Sequence, residues 1–265
     1  MALNIHQILA GYAEGDAISN EAIQLRQIFR RWGHNSEIYA DSSRVSSGMQ
    51  ADCRSLTDYA AGAGDICLHH YGIASPAVEV FLASAAKKIM VYHNITPAEY
   101  FAGFDDAVVA QLHTARFALR KVARHSDAVW TVSRFNAAEL KAEGIDDVKV
   151  FPLLFSPERL DVPPEPLIIN KFTGHLKNIL FVGRIAPNKR IEDLIMAFAW
   201  YHIAVNPFSR LIIVGSKQSA VRYYTMLRML VGDLDLSNVC FEGFTSPAGL
   251  LAYYRVADLY VSTSA

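Results

Sequence analysis

Residues 178–198 read NILFVGRIAPNKRIEDLIMAF, and this stretch decides the fold. Ile179, Leu180, Phe181 and Val182 form a short apolar run of the kind buried inside a sheet, and Gly183 ends it. Arg184 and Lys189 follow in a loop broken by Pro187. Ile191, Leu194, Ile195 and Phe198 then recur at helical spacing. A strand, a loop with two cations and a helix N-terminus together make an anion site. Main-chain N–H groups and the helix dipole favour negative charge there, and the two side chains add charge-assisted hydrogen bonds. The same pattern also fits a plain βα loop with a solvated Arg and Lys. Neighbouring segments bear on that choice.

Downstream, the rhythm continues with a helix over 191–205, a strand over 210–215, a helix over 220–231, a strand over 239–242, a helix over 247–257 and a strand over 259–262. Upstream, short apolar runs at 7–12, 36–40, 65–71, 88–93, 128–133 and 148–153 predict strands. Helical patterns separate them, including 20–32 and a long stretch over 97–125 that is broken near Gly103. Alternation of this kind, with strands apolar on both faces, predicts parallel sheets covered by helices. Residues 155–166 read FSPERLDVPPEP, four prolines without periodicity, which marks a linker. The reading is α/β, two Rossmann-like doubly wound units with the ligand in their cleft: 1–154, a linker at 155–175, and 176–265. The second unit reads as incomplete, short by roughly 60–100 residues.

Composition narrows the function. A formal net charge of −1 gives no basic field for nucleic acid, and 52% hydrophobic with 19% charged residues describes a chain with a sizeable core. No apolar run approaches the roughly 18 residues of a membrane span. Cys53, Cys67 and Cys240 are widely spaced and form no CxxC pair, which fits free thiols in a reducing compartment. The expectation is a soluble, cytoplasmic protein.

Several loops carry candidate contacts. Gly11, Gly15 and Asp16 follow the first strand, where glycine lets backbone approach a ligand; Asp16 fits an acceptor contact and an ordinary helix cap equally. His93 ends a strand in YHNITP, and Thr96 with Pro97 is a good helix start. Gly215 and Gly243, the latter followed by Phe244, stand at strand ends. His69 and His70 are adjacent on a strand and point to opposite faces, so spacing offers no metal cluster. No G-x-G-x-x-G follows a strand, which argues against a nicotinamide-dependent oxidoreductase.

Taken in order, GDAISN, YHNITP, VGRIAPNKRIEDLI, RLIIVGS, VCFEGF and YYRVADLYVSTSA resemble the GT-B fold, retaining glycosyltransferases of family 4 over nearly the whole chain. The resemblance implies transfer of a hexosyl group from a nucleoside diphosphate sugar to a hydroxyl acceptor such as a glycan, a lipid-linked sugar or a small glycoside. It assigns Arg184 and Lys189 to the donor diphosphate and His93 to orienting the sugar. Gly15, Asp16, Gly183, Gly215, Gly243 and Phe244 become further substrate contacts. No cofactor and no metal are implied, because the two cations neutralise the leaving group. Arg190 stands where many members have Gly, and the chain stops before the family's E-x7-E motif. A truncated, non-catalytic nucleotide- or sugar-binding module and a GT-B sugar epimerase therefore remain open. Arg116, Arg120, Lys121 and Arg124, with Phe117 nearby, form a basic stripe that fits either a solvated helix face or peripheral membrane contact.

Overall fold

The computed structural model describes residues 2–154, 156, 157, 161–218 and 220–264. Positions 155 and 158–160 of the proline-rich stretch lie outside the described residues. The chain divides into two compact units. One comprises Met1–Ala98 with Ala107–Phe155, the other Glu99–Asp106 with Ser156–Ala265.

The first unit holds β1 (Ile5–Leu9), α1 (Ala17–Arg31), β2 (Ile38–Ala40), β3 (Arg54–Ser55), β4 (Ile66–Tyr71), α2 (Ala77–Ala83), β5 (Lys87–Tyr92), α3 (Asp106–Arg124), β6 (Ala128–Thr131), α4 (Arg134–Ala142) and β7 (Val148–Val150). Its seven strands lie in the order β3-β2-β1-β4-β5-β6-β7, every neighbour parallel. All five residues of β1 are buried, which an all-parallel sheet demands of an interior strand. On α1, Ala22, Leu25 and Phe29 repeat at helical spacing and pack on the sheet with Ile5, Leu9, Leu68 and Val91. The two-residue β3 has no apolar alternation and was not legible as a strand.

The second unit holds α5 (Pro166–Phe172), β8 (Lys177–Val182), α6 (Ile191–Ala204), β9 (Ser209–Val214), α7 (Val221–Asp233), β10 (Val239–Gly243), α8 (Pro247–Val256) and β11 (Leu259–Tyr260). Its parallel sheet runs β10-β9-β8-β11. Successive residues of β8 serve opposite faces, as the two-residue pleat requires. Ile179 and Phe181 meet α6 and α7 through Ile191, Leu194, Ile195, Phe198, Tyr223 and Leu227. Leu180 meets α5 and α8 through Phe172 and Tyr253. Tyr253 is thus a core residue, while its neighbour Tyr254 is 45% exposed. Each fully buried side chain of this kind contributes about 1.5–3 kcal/mol. The helix α5 lies inside the stretch read as linker; Pro166 occupies its first turn, where a missing N–H costs nothing.

In both sheets the first strand of the unit sits beside the point where strand order reverses, between β1 and β4 and between β8 and β11. Loops at the carboxyl ends of such strands are the places where an open α/β sheet binds ligands.

Asn178 clamps the second unit at the opposite end of β8. Its amide donates to the Phe172 and Val256 carbonyls at 2.9 and 2.8 Å, and its oxygen accepts from Arg210. Removing it takes a partner from groups on three elements and leaves the Val256 carbonyl without its donor, while Arg210 still reaches the Phe172 carbonyl. Asn178→Ala is expected to destabilise the protein by about 2–3 kcal/mol, measured by urea denaturation followed by circular dichroism.

Candidate functional site

Three glycines floor the site in the second unit. Gly183, Gly215 and Gly243 stand at the carboxyl ends of the adjacent strands β8, β9 and β10. The Gly183 N–H donates to the Val214 carbonyl at 2.9 Å, and the Gly215 N–H to the Gly243 carbonyl at 2.8 Å. A Cβ on Gly215 would lie 1.8 Å from the Gly183 oxygen, so no side chain fits there. The strand ends therefore present bare main chain to whatever lies above them.

Arg184 leaves this floor, exposed, and the Ile185 N–H anchors the loop to Ser216 O at 3.3 Å. Pro187–Lys189 form a 3-10 turn, and Arg190 adopts a left-handed conformation (φ 47°) before α6 begins. Glycine is the residue best suited to that conformation, which gives a physical reason for its frequency there among the relatives the motif resembles. The Arg190 side chain pairs with Asp193 instead of facing a ligand. Thr263 Oγ1 donates to the Lys189 and Arg190 carbonyls at 2.9 and 3.0 Å, tying the segment after β11 to the same loop.

Among the described residues no carboxylate pairs with Arg184 or Lys189. Lys189 is half-buried, and burial first, then the neighbouring Arg184 charge, hold its ammonium pKa below the usual value. Two cations that repel each other without a counter-ion describe a receptor for an anion. The helix N-terminus contributes less than the pattern suggested. Tyr223 Oη of α7 accepts from the Ile191 N–H at 2.8 Å and donates to the Glu192 carboxylate, so the first amide of α6 is already satisfied. Sequence reading missed Tyr223 as a cap and also missed Lys217. The Lys217 side chain passes 3.6 Å from the position of a Cβ on Gly243, placing a third cation over the same strand ends. Its only sequence signal is its place two residues after Gly215. Phe244 is 56% exposed.

The first unit presents a different site. Asp16 is the N-cap of α1, its Oδ2 accepting from Ser19 N at 2.9 Å and Ser19 Oγ at 3.0 Å; Gly15 supplies the positive φ of 76° that precedes it. His93 follows β5, with its side chain only 4% exposed. The residue as a whole is half-buried, so its accessible atoms are main-chain atoms. His93 Nε2 lies 2.8 Å from His70 Nδ1 and 3.4 Å from a Glu21 carboxylate oxygen. Burial pushes the Glu21 carboxyl up to about 7 and His93 down to about 4, and holds His70 well below its usual value. His69 points to the other face as expected, its ring hydrogen-bonded to Ile8 O. The fold thus gathers Glu21, His70 and His93 from α1, β4 and the end of β5, a grouping invisible to sequence spacing.

Comparisons with known proteins bear on the family and the fold. Residues 169–265, which include the Arg184–Lys189 loop, match the family described as "Glycosyl transferases group 1". The fold is GT-B. Sucrose-phosphate synthase from Thermosynechococcus elongatus is similar over 99% of this chain and 75% of its own, at 17% identity and a TM-score of 0.73. HepE of Anabaena, solved in complex with UDP-glucose, is similar over 99% and 74%, at 17% identity and a TM-score of 0.68. A glycosyltransferase from Rickettsia africae is similar over 99% and 73%, at 14% identity and a TM-score of 0.63. A sequence search of curated proteins finds no match. Among the described residues no helix is long and apolar enough to cross a membrane.

An anion bound beside Lys189 raises its lowered pKa, so binding takes up protons in the alkaline window below 10.5. Affinity for pyrophosphate is therefore expected to fall as pH rises through that window, with net proton uptake. Calorimetry in two buffers of different ionisation enthalpy measures it, and Lys189→Met should abolish the uptake.

Proposed function

We propose that the protein is a retaining family 4 glycosyltransferase that moves a hexosyl group from a nucleoside diphosphate sugar to a hydroxyl acceptor. The observation that carries this reading is the pair Arg184 and Lys189, on the loop that follows the glycine-ended strand β8, with no neutralising carboxylate among the described residues. The family match across 169–265 supports it, as does the fold shared with an enzyme solved with UDP-glucose.

The chemistry follows from charge. Breaking the bond between the anomeric carbon and the donor phosphate leaves negative charge on the diphosphate. Fixed cations there stabilise the transition state more than the bound donor. They do the neutralising that a divalent metal would otherwise do, so the diphosphate needs no metal. Gly183, Gly215 and Gly243 let main chain approach the phosphates, and Phe244 offers an exposed ring for the base. In a front-face transfer, the acceptor oxygen bonds to the anomeric carbon as the phosphate leaves, and the acceptor proton passes to the departing phosphate. His93 orients the sugar through its main chain, and Gly15 and Asp16 belong to the loop facing the reaction. A glycan, a lipid-linked sugar or a small glycoside is the acceptor, and polysaccharide assembly is the process this reading favours. The free thiols fit a cytoplasmic setting.

Titration with UDP, GDP and ADP identifies the base. Arg184→Ala and Lys189→Ala are each expected to weaken diphosphate binding strongly with the circular dichroism spectrum unchanged. In the transfer assay each should cost about 3–4 kcal/mol of barrier, a 10²–10³-fold loss in kcat. Unchanged nucleotide affinity in both variants refutes the site. Donor alone against donor plus acceptor separates transfer from epimerisation, which needs no acceptor.

Membrane contact rests on α3. Arg116 and Arg120 pair with Glu139 and Glu143, which removes them from the basic stripe. Phe117, 92% exposed, with Lys121 and Arg124 at i+4 and i+7, is the remaining basic, aromatic face. Co-sedimentation with anionic vesicles at low salt is expected, lost at high salt and in Phe117→Ser. No pelleting at low salt ends the idea.

A further inference from the structure

Glu21 poses a problem that the transferase reading does not solve. Its side chain is 1% exposed and both carboxylate oxygens lack a hydrogen-bond partner. A buried carboxylate without a donor costs several kcal/mol unless it is neutralised. The nearest polar atoms are imidazole nitrogens, and the surrounding hydrogen bonds decide what those nitrogens offer. Gln7 Nε2 donates to the Ala22 carbonyl at 2.8 Å, so its Oε1 is an acceptor. His70 Nε2 lies 3.0 Å from that oxygen and must carry the proton. His70 Nδ1 is thereby a bare lone pair, aimed at the space shared with His93 and Glu21.

We infer that Glu21, His70 and His93 form a binding site for a divalent transition metal, zinc by preference, in the core of the first unit. One carboxylate oxygen, His70 Nδ1 and His93 Nε2 are separated by 2.8, 3.4 and 3.7 Å. A point equidistant from all three lies roughly 2 Å from each, the zinc–nitrogen and zinc–carboxylate distance. The second Glu21 oxygen, also without a partner, is a further donor on the same side chain available for a fourth contact. Imidazole with carboxylate is a donor set that suits zinc and its neighbours and leaves magnesium and calcium less favoured. Gln7 serves as the outer partner that fixes the tautomer and ring orientation of a ligating histidine. Binding moves the His93 proton from Nε2 to Nδ1 and holds Glu21 as the carboxylate, so the ion neutralises the charge that burial opposes.

The consequence is mechanical. Three elements, α1, β4 and the end of β5, become cross-linked beneath the loop that begins at His93. The ion belongs to the first unit and the cations Arg184 and Lys189 to the second; the two readings share only His93, through its ring here and its main chain in the transferase reading. Metal binding is measured without nucleotide.

The test uses the full chain, stripped with chelator and titrated with Co²⁺ and then Zn²⁺. Expected are one Co²⁺ per chain with the visible bands of a four-coordinate N/O site, displacement by Zn²⁺, and a higher Tm with Zn²⁺. Glu21→Gln keeps the shape and removes the charge, and should weaken Co²⁺ binding at least tenfold with an unchanged fold. Absence of one retained equivalent in the parent protein overturns the inference, as does a Glu21→Gln affinity within tenfold of the parent. Should that variant fail to fold, Gln7→Ala decides, with a loss of about 10–100-fold expected and unchanged affinity overturning the site.

Discussion

The loop that keeps the mutually repelling Arg184 and Lys189 together is the constraint on which the site of the second unit depends. Left free, two such side chains would swing apart into solvent. The loop between them is instead held at several points: at Gly183 by Val214, at Ile185 by Ser216, at Ile191 by Tyr223, and at Lys189 and Arg190 by Thr263. None of these contacts touches either charged group, so the loop is fixed while the cations stay uncompensated. A site organised before its ligand arrives need not reorganise during reaction, which is the condition under which charged groups stabilise a transition state most. Part-burial of Lys189 lowers the local dielectric, which would strengthen its interaction with the proposed diphosphate, and its lowered pKa records the cost of burying a charge beside Arg184.

The fold was largely legible because parallel strands buried on both faces are written as short continuous apolar runs. The boundaries of β4 and β10 fall within a residue of their sequence patterns, and those of β8 within two. What escaped notice had no such pattern. Strand β3 is two polar residues, and α5 was hidden by the prolines that flank it. The Arg184–Lys189 loop was legible because both cations lie within one βα turn. Glu21, His70 and His93 were not, because their proximity is a product of strand order, β1-β4-β5, and of α1 packing on it. Arg116 was misleading for a related reason. On its helix it looks like part of a basic surface, but Glu139 on another helix claims it.

The two units solve the problem of polar groups at strand ends in opposite ways. In the second, glycine floors with an exposed Arg184 and a half-buried Lys189 leave charge available to a ligand. In the first, charge is suppressed: Gln7, Glu21, His70 and His93 are drawn together where burial raises the carboxyl pKa and lowers the imidazole values. Such a polar cluster in a core is costly unless every member is satisfied, because the same low dielectric strengthens good contacts and penalises missing ones. Gln7, His70 and His93 meet that condition through one another, and Glu21 alone does not.

The segment after β5 gives the reason for retaining so costly a cluster. Asn94, next to His93, holds a φ of 74°, a conformation that asparagine tolerates better than most residues and that still carries strain. Such a turn persists only where its surroundings dictate it. On the far side they do: the Ile95 N–H donates to Tyr92 Oη, Tyr92 and Arg116 both donate to Glu139, and Arg116 also donates to the Ile95 carbonyl at 2.7 Å. Gly72 completes the enclosure, since a Cβ there would lie 3.0 Å from the Asn94 carbonyl. On the near side the His93 N–H donates to the Tyr71 carbonyl at 2.9 Å, and the His93 side chain is gripped by His70 and faces Glu21. With its ring committed inward, what His93 offers outward is main chain. Any role it has toward a ligand therefore depends on how firmly its ring is held.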